Sequence, residues 1–120
     1  MADPIRKKVK DVLLSLENIE AGAVVRKDGL LIASSLPEEI DRKGVWAASA
    51  KIVNATEACS DELGKGELRQ IILETEKGRI ISLSAGKDAF LLCVAGKDAP
   101  LGQLLLSLSS AADEVEKILR

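Results

Sequence analysis

The sequence contains no histidine and no tyrosine, and its only large aromatic side chains are Trp46 and Phe90. Without histidine the chain lacks the commonest general base and the commonest metal ligand. Two aromatic rings are too few for a platform on which nucleic-acid bases stack. A net charge of −2 gives nothing to draw the chain to a phosphate backbone, so no nucleic-acid partner is expected. Cysteine is scarce as well: Cys59 and Cys93 lie far apart in apolar surroundings and read as small buried hydrophobes rather than a disulfide. The opening MADPIRKK lacks the apolar centre of a secretory signal, and a reducing, cytoplasmic setting is expected. No apolar run approaches the roughly 18 residues of a membrane span.

Motifs that carry chemistry are missing too. Gly64-Lys65-Gly66 sits after a helical pattern and is followed by Glu67, so it is a turn and not a phosphate loop. There is no Gly-x-Ser-x-Gly elbow. Ser34, Ser35, Ser82 and Ser84 have no base near them in sequence to activate them. Glu38, Glu39 and Asp41 are explained by the helix that follows them, whose N-terminus favours negative charge. Catalytic residues, metal ligands and cofactors are therefore all read as none.

What is present is a core. The chain has 120 residues, 47% of them apolar and 30% charged, which suits one globular domain over residues 1–120. Ile5, Val9, Val12, Leu13 and Leu16 recur at helical spacing after Asp3-Pro4, with Arg6, Lys7, Lys8 and Lys10 on the other face. Asp28-Gly29 lies between two β-like runs, Gly22–Arg26 and Leu30–Ser34, and signals a hairpin. Leu36-Pro37-Glu38-Glu39 stops the second strand. Three more strands, Leu68–Thr75, Arg79–Ala85 and Ala89–Ala95, are joined by short connections and predict an antiparallel meander. Phe90-Leu91-Leu92-Cys93-Val94 is apolar on both sides, as a central strand must be. Asp98 is the predicted N-cap of a last helix whose stripe runs from Leu101 to Leu119.

Between the hairpin and the meander, Asp41–Leu63 predicts one long helix ending at Gly64. Val45, Ala48, Ile52, Ala55, Cys59 and Leu63 fall within an arc of roughly 80° and read as the core stripe. Trp46, Ser49, Val53, Thr56 and Ser60 form a second stripe beside it, read here as the seat of a partner helix. The edge strand Leu68–Thr75 is a hazard unless paired, and symmetric pairing with a second copy closes it.

The segments GAVVRKDGLLIASSLPEEID, WAASAKIVNATEACSDELGKGEL and GKDAFLLCVAGKDAPLGQLLLSLSSAADEV, in this order, resemble the roadblock/dynein-light-chain family over nearly the whole chain. The resemblance and the element order together give an α+β fold, α-β-β-α-β-β-β-α. A five-stranded antiparallel sheet carries the long helix on one face and the other two helices on the opposite face, in a roadblock/profilin-like arrangement. The resemblance implies homodimers or heterodimers with related domains, formed through the long helices and the edge strand. Trp46, Ser49, Val53, Thr56, Ser60, Ile71 and Leu73 are then the dimer-interface residues. It also implies a non-enzymatic regulator or scaffold for a Ras-like small GTPase. The alternative is a structural light chain or adaptor that binds a peptide or larger scaffold. Trp46 is bulkier than is usual at the start of the family's Ala-rich helix. Arg26, Arg42, Arg69 and Arg79 are arginine-finger candidates by type only. A small-molecule pocket lined by Ala89, Phe90 and Cys93 is a further reading, though few polar groups converge there.

Overall fold

The computed structural model describes residues 3–35 and 42–120. Its elements are α1 (Pro4–Leu14), β1 (Ala21–Arg26), β2 (Leu31–Ser34), α2 (Arg42–Glu62), β3 (Gln70–Thr75), β4 (Gly78–Ser84), β5 (Ala89–Gly96) and α3 (Leu101–Leu119). The order is the expected one. The strand stop at Leu36-Pro37-Glu38-Glu39 and the carboxylates of Glu38, Glu39 and Asp41 lie outside the described residues.

Local chemistry sets most element ends. Asp3 caps α1: its Oδ1 accepts the Ile5 N–H at 2.9 Å, and Pro4 occupies the first turn, where a missing N–H costs nothing. The α2 C-terminus closes on Gly64, which holds φ +67. There the Gly64 N–H donates to the Asp61 carbonyl at 3.1 Å and the Lys65 N–H to the Ser60 carbonyl at 3.0 Å. These two bonds satisfy carbonyls the helix itself leaves open, and glycine takes the left-handed turn without a Cβ penalty. The β1–β2 turn is held by the Gly29 N–H to the Arg26 carbonyl at 2.9 Å and the Leu30 N–H to Asp28 Oδ1 at 3.1 Å. The expected cap of α3 is corrected. Pro100, not Asp98, is the N-cap, and no side chain bonds to that helix start. Asp98 is two residues upstream, outside the position from which a carboxylate reaches the second or third helical N–H.

The sheet order is β2-β1-β5-β4-β3, all antiparallel. β5 is central, and its residues alternate between two cores. Leu91, Cys93 and Ala95 enter a core with Val9, Val12 and Leu13 of α1 and Leu104, Leu108, Ala112 and Val115 of α3. Phe90 and Leu92 enter a smaller core under α2, with Ala23, Val25, Trp46, Ala50 and Val53. So α1 and α3 share one face and α2 has the other. At the β3–β4 turn, where Gly78 also faces Gly96 of β5, a Cβ on Gly78 would lie 2.6 Å from the Ala95 carbonyl oxygen, so this position admits no side chain. β3 is an edge strand with one neighbour, β4.

Candidate functional site

α2 touches the sheet with Trp46, Ser49, Ala50 and Val53, which are at most 9% exposed. This reverses the sequence reading of its two stripes. Trp46, Ser49 and Val53 are buried against the chain's own sheet and are not free to meet a partner. Thr56 and Ser60 are half-buried beside them. The Thr56 hydroxyl donates to the Ile52 carbonyl at 2.7 Å, and the Ser60 hydroxyl donates to the Gly66 carbonyl at 2.7 Å, tying down the turn after the helix. Ser49 likewise donates to the Val45 carbonyl at 2.8 Å. The physical reason is area rather than count. The stripe read as core has more apolar positions, but half of them are Ala or Cys. Trp46 alone brings more apolar surface than any other α2 residue, and burial stabilises in proportion to area.

Polar contacts fasten the same inner side. The Lys27 ammonium and the Glu57 carboxylate meet at 2.8 Å, and the Asn54 side-chain amide donates to the Lys27 carbonyl at 2.9 Å. Trp46 Nε1 is buried and has no acceptor among the described residues.

The stripe read as core is therefore the free one. Ala48, Ala55 and Cys59 are exposed, Ile52 is 38% exposed and Leu63 is 66% exposed, with Val45 half-buried at the near end. β3 on the same sheet has an open edge as well. Ile71 packs into the α2-side core, and Leu73 pairs with Ile80, which packs there too. Both are half-buried, so this pair of sequence-picked residues does lie at a surface that another chain can reach. The outer face of α2 leaves an apolar stripe uncovered, and the β3 edge leaves backbone unpaired. Sequence reasoning missed Ala48, Ile52, Ala55 and Cys59 as surface residues. The smallness of Ala48, Ala55 and Cys59, which permits close approach of a second helix, was the available signal.

Little else is built for chemistry. Among the described residues no group of three His, Cys, Asp or Glu side chains is placed to hold a metal. No described helix is long and apolar enough to cross a membrane. Ala89 and Cys93 face the α1/α3 core while Phe90 faces α2, so these three line no common pocket. The cavity between Phe90, Val53 and Leu68 is about 10 Å³, room for little more than one water molecule. Arg26 is held by Asp28 at 2.8 Å, and Arg79 reaches the Ala99 carbonyl at 3.1 Å and Glu74 at 3.4 Å.

The two cysteines part company. Cys93 is wholly buried, and burial pushes its thiol from 9.0 up to about 12. At neutral pH a thiol reagent is expected to modify no more than Cys59 in the native protein and both cysteines after denaturation, as read by intact mass. Between pH 9.0 and about 12 the unfolded Cys93 ionises and the folded one does not. Unfolding then releases a proton, so this contribution to stability is complete below 9.0 and is lost as pH rises toward 12.

The sequence profile of the Roadblock/LC7 domain matches residues 6–95. The chain is similar to uncharacterized protein MJ0310 of Methanocaldococcus jannaschii, at 35% identity over 108 residues, covering 88% of this chain and 94% of that one. Its backbone superposes on Myxococcus xanthus MglB with a TM-score of 0.90, at 24% identity over 99% of this chain and 92% of the other. Acanthamoeba castellanii profilin IA superposes with a TM-score of 0.66, at 15% identity over 93% of this chain and 96% of the other. At such identities the two solved structures show a shared fold.

Proposed function

The chain belongs to the Roadblock/LC7 domain family, and from that premise we propose that it is a non-enzymatic homodimer that binds a Ras-like small GTPase and modulates its nucleotide cycle. The observation that carries the pairing is the uncovered apolar stripe of α2 together with the open edge of β3. A two-fold axis perpendicular to the sheet sets α2 against α2 and β3 against β3, and the two sheets become one. Such pairing removes the free edge and covers Ile52, Ala48, Ala55, Cys59, Ile71 and Leu73 in one contact.

The GTPase part of the reading rests on the family resemblance. A partner without reactive groups of its own acts on phosphoryl transfer by holding the GTPase's residues in place, since that chemistry depends on positioning and charge stabilisation. The experiment has two stages. Light scattering over a dilution series is expected to give a mass near twice 12.8 kDa. The dimer is then titrated with Ras-like GTPases loaded with GDP or with a non-hydrolysable GTP analogue, and GTP turnover is followed with and without it. Binding that depends on the nucleotide, with a changed turnover rate, is the expected result. A mass of one chain at every concentration overturns the pairing. Nucleotide-independent capture of a filament or scaffold protein gives the chain the light-chain or adaptor role instead.

A further inference from the structure

We propose that the outer face of α1 is a docking surface for an anionic lipid bilayer. This goes beyond the pairing of α2 and does not depend on it, because α1 lies on the opposite face of the sheet. Arg6, Lys7, Lys8 and Lys10 are all exposed on this helix. No side chain of the four makes an ion pair or a hydrogen bond among the described residues. Within α1 the one carboxylate is Asp11, and Asp3, just before it, is already engaged as the cap. In a chain of net charge −2 this is a segregated basic surface.

Helix stability does not account for the cations. Arg6 and Lys7 stand in the first turns of α1, at the end where the backbone dipole disfavours positive charge, and the first turn has no acid. Apolar tips stand beside them. Leu14, between Lys10 and Lys7 around the helix at the C-terminal end of α1, is 63% exposed. Leu106 of α3 is 76% exposed and lies across the groove from Val12, Ser15 and Leu16 at the C-terminal end of α1. The stretch of α3 from Leu101 to Ala112 carries no charge, so a bilayer can approach that side without stripping water from an ion. The acidic residues of α3, Asp113, Glu114 and Glu116, come after it, with Glu114 at the groove.

Flexible cations around protruding aliphatic tips, on the convex face of a helix, suit a plane of anionic headgroups with acyl chains beneath it. Each lysine or arginine near such a surface strengthens binding about fivefold. In the proposed dimer, an axis perpendicular to the sheet puts both α1 helices on the same side, so two copies meet one membrane together and avidity adds to either alone.

The test is co-sedimentation of the full chain with vesicles of phosphatidylcholine alone and of phosphatidylcholine with phosphatidylserine, at low and at physiological salt. The protein is expected on the phosphatidylserine vesicles only, with binding that weakens as salt rises. Lys7→Gln, Lys8→Gln and Lys10→Gln combined should weaken it about a hundredfold. The triple change to Glu should abolish it, with unchanged circular dichroism in both variants. Three results overturn the proposal: no binding of the unmodified chain to phosphatidylserine vesicles at low salt, binding that neither triple variant weakens, and capture by poly-glutamate without any vesicle binding, which makes the face a site for an acidic protein. A variant that is monomeric through α2 but still binds vesicles, more weakly, separates this proposal from the pairing.

Discussion

Ile52→Glu is expected to turn the proposed dimer into a monomer while leaving the folded chain intact. Ile52 is the largest side chain near the middle of the free stripe and is 38% exposed in the single chain. An antiparallel pair centred on Ala48, Ile52, Ala55 and Cys59 sets Ile52 against Ala55 of the partner subunit and Ala48 against Cys59 of the partner subunit. In that register Ile52 meets an alanine and Ala48 meets a cysteine, so every step has a small side chain and two helices can approach closely. The symmetry applies every substitution twice. Two glutamates then enter an apolar contact, and a charge removed from water costs several kcal/mol. Loss of a central apolar anchor alone costs about 2 kcal/mol or more. Together these weaken dimerisation at least about a thousandfold, each 1.4 kcal/mol being tenfold. The folding stability of the separated chain should change by no more than about 0.5 kcal/mol, as for a surface position, because the inner side of α2 is untouched. Light scattering reads the first quantity and urea denaturation of the monomer the second. A variant that remains dimeric on dilution removes this stripe from the interface.

The topology was legible because its signals are local and agree with one another. Asp28-Gly29 turns the first hairpin, Gly64 ends α2 with a left-handed residue, and the two-sided apolar run Phe90–Val94 is the central strand. Each rests on backbone geometry that no distant contact has to complete. The face of α2 was harder to read. On a helical wheel both stripes are mostly uncharged, and a count of apolar positions favours the one with Ala48, Ala55 and Cys59. The sheet instead selected the side on which Trp46 and Val53 stand. The surface beneath, built by Ala23, Val25, Phe90 and Leu92, comes from two strands distant from α2 in sequence, so only the assembled sheet decides the matter. The edge role of β3 could be inferred from chain order, and Ile71 and Leu73 were identified for that reason. The cap of α3 was misplaced by two residues because Asp98 and Pro100 both carry start signals, and Pro100 holds the extended backbone at the boundary.

Trp46→Ala is expected to cost about 3–5 kcal/mol of folding stability, the usual penalty for emptying a large aromatic site. The loss falls on the fold of each chain, not on the contact between chains. Trp46 is 4% exposed and packs with Ala23, Val25, Phe90 and Leu92, in the thinner of the two cores. Its neighbours are strand residues whose backbones are fixed by the sheet, so the site cannot collapse to fill the space. Since a domain is stable by only about 5–15 kcal/mol in all, the variant should unfold at a much lower urea concentration. Trp46→Phe should cost far less. Phenylalanine keeps much of the ring in place, and it also removes Nε1, a buried donor with no acceptor among the described residues. Leaving such a group unpaired costs about 1–3 kcal/mol, which offsets part of the lost packing. Urea denaturation of both variants, each made in the monomeric Ile52→Glu chain, measures the two costs free of dimerisation. If Trp46→Ala leaves the monomer's stability unchanged, α2 is not anchored to the sheet by this residue, and its two faces must be assigned the other way round.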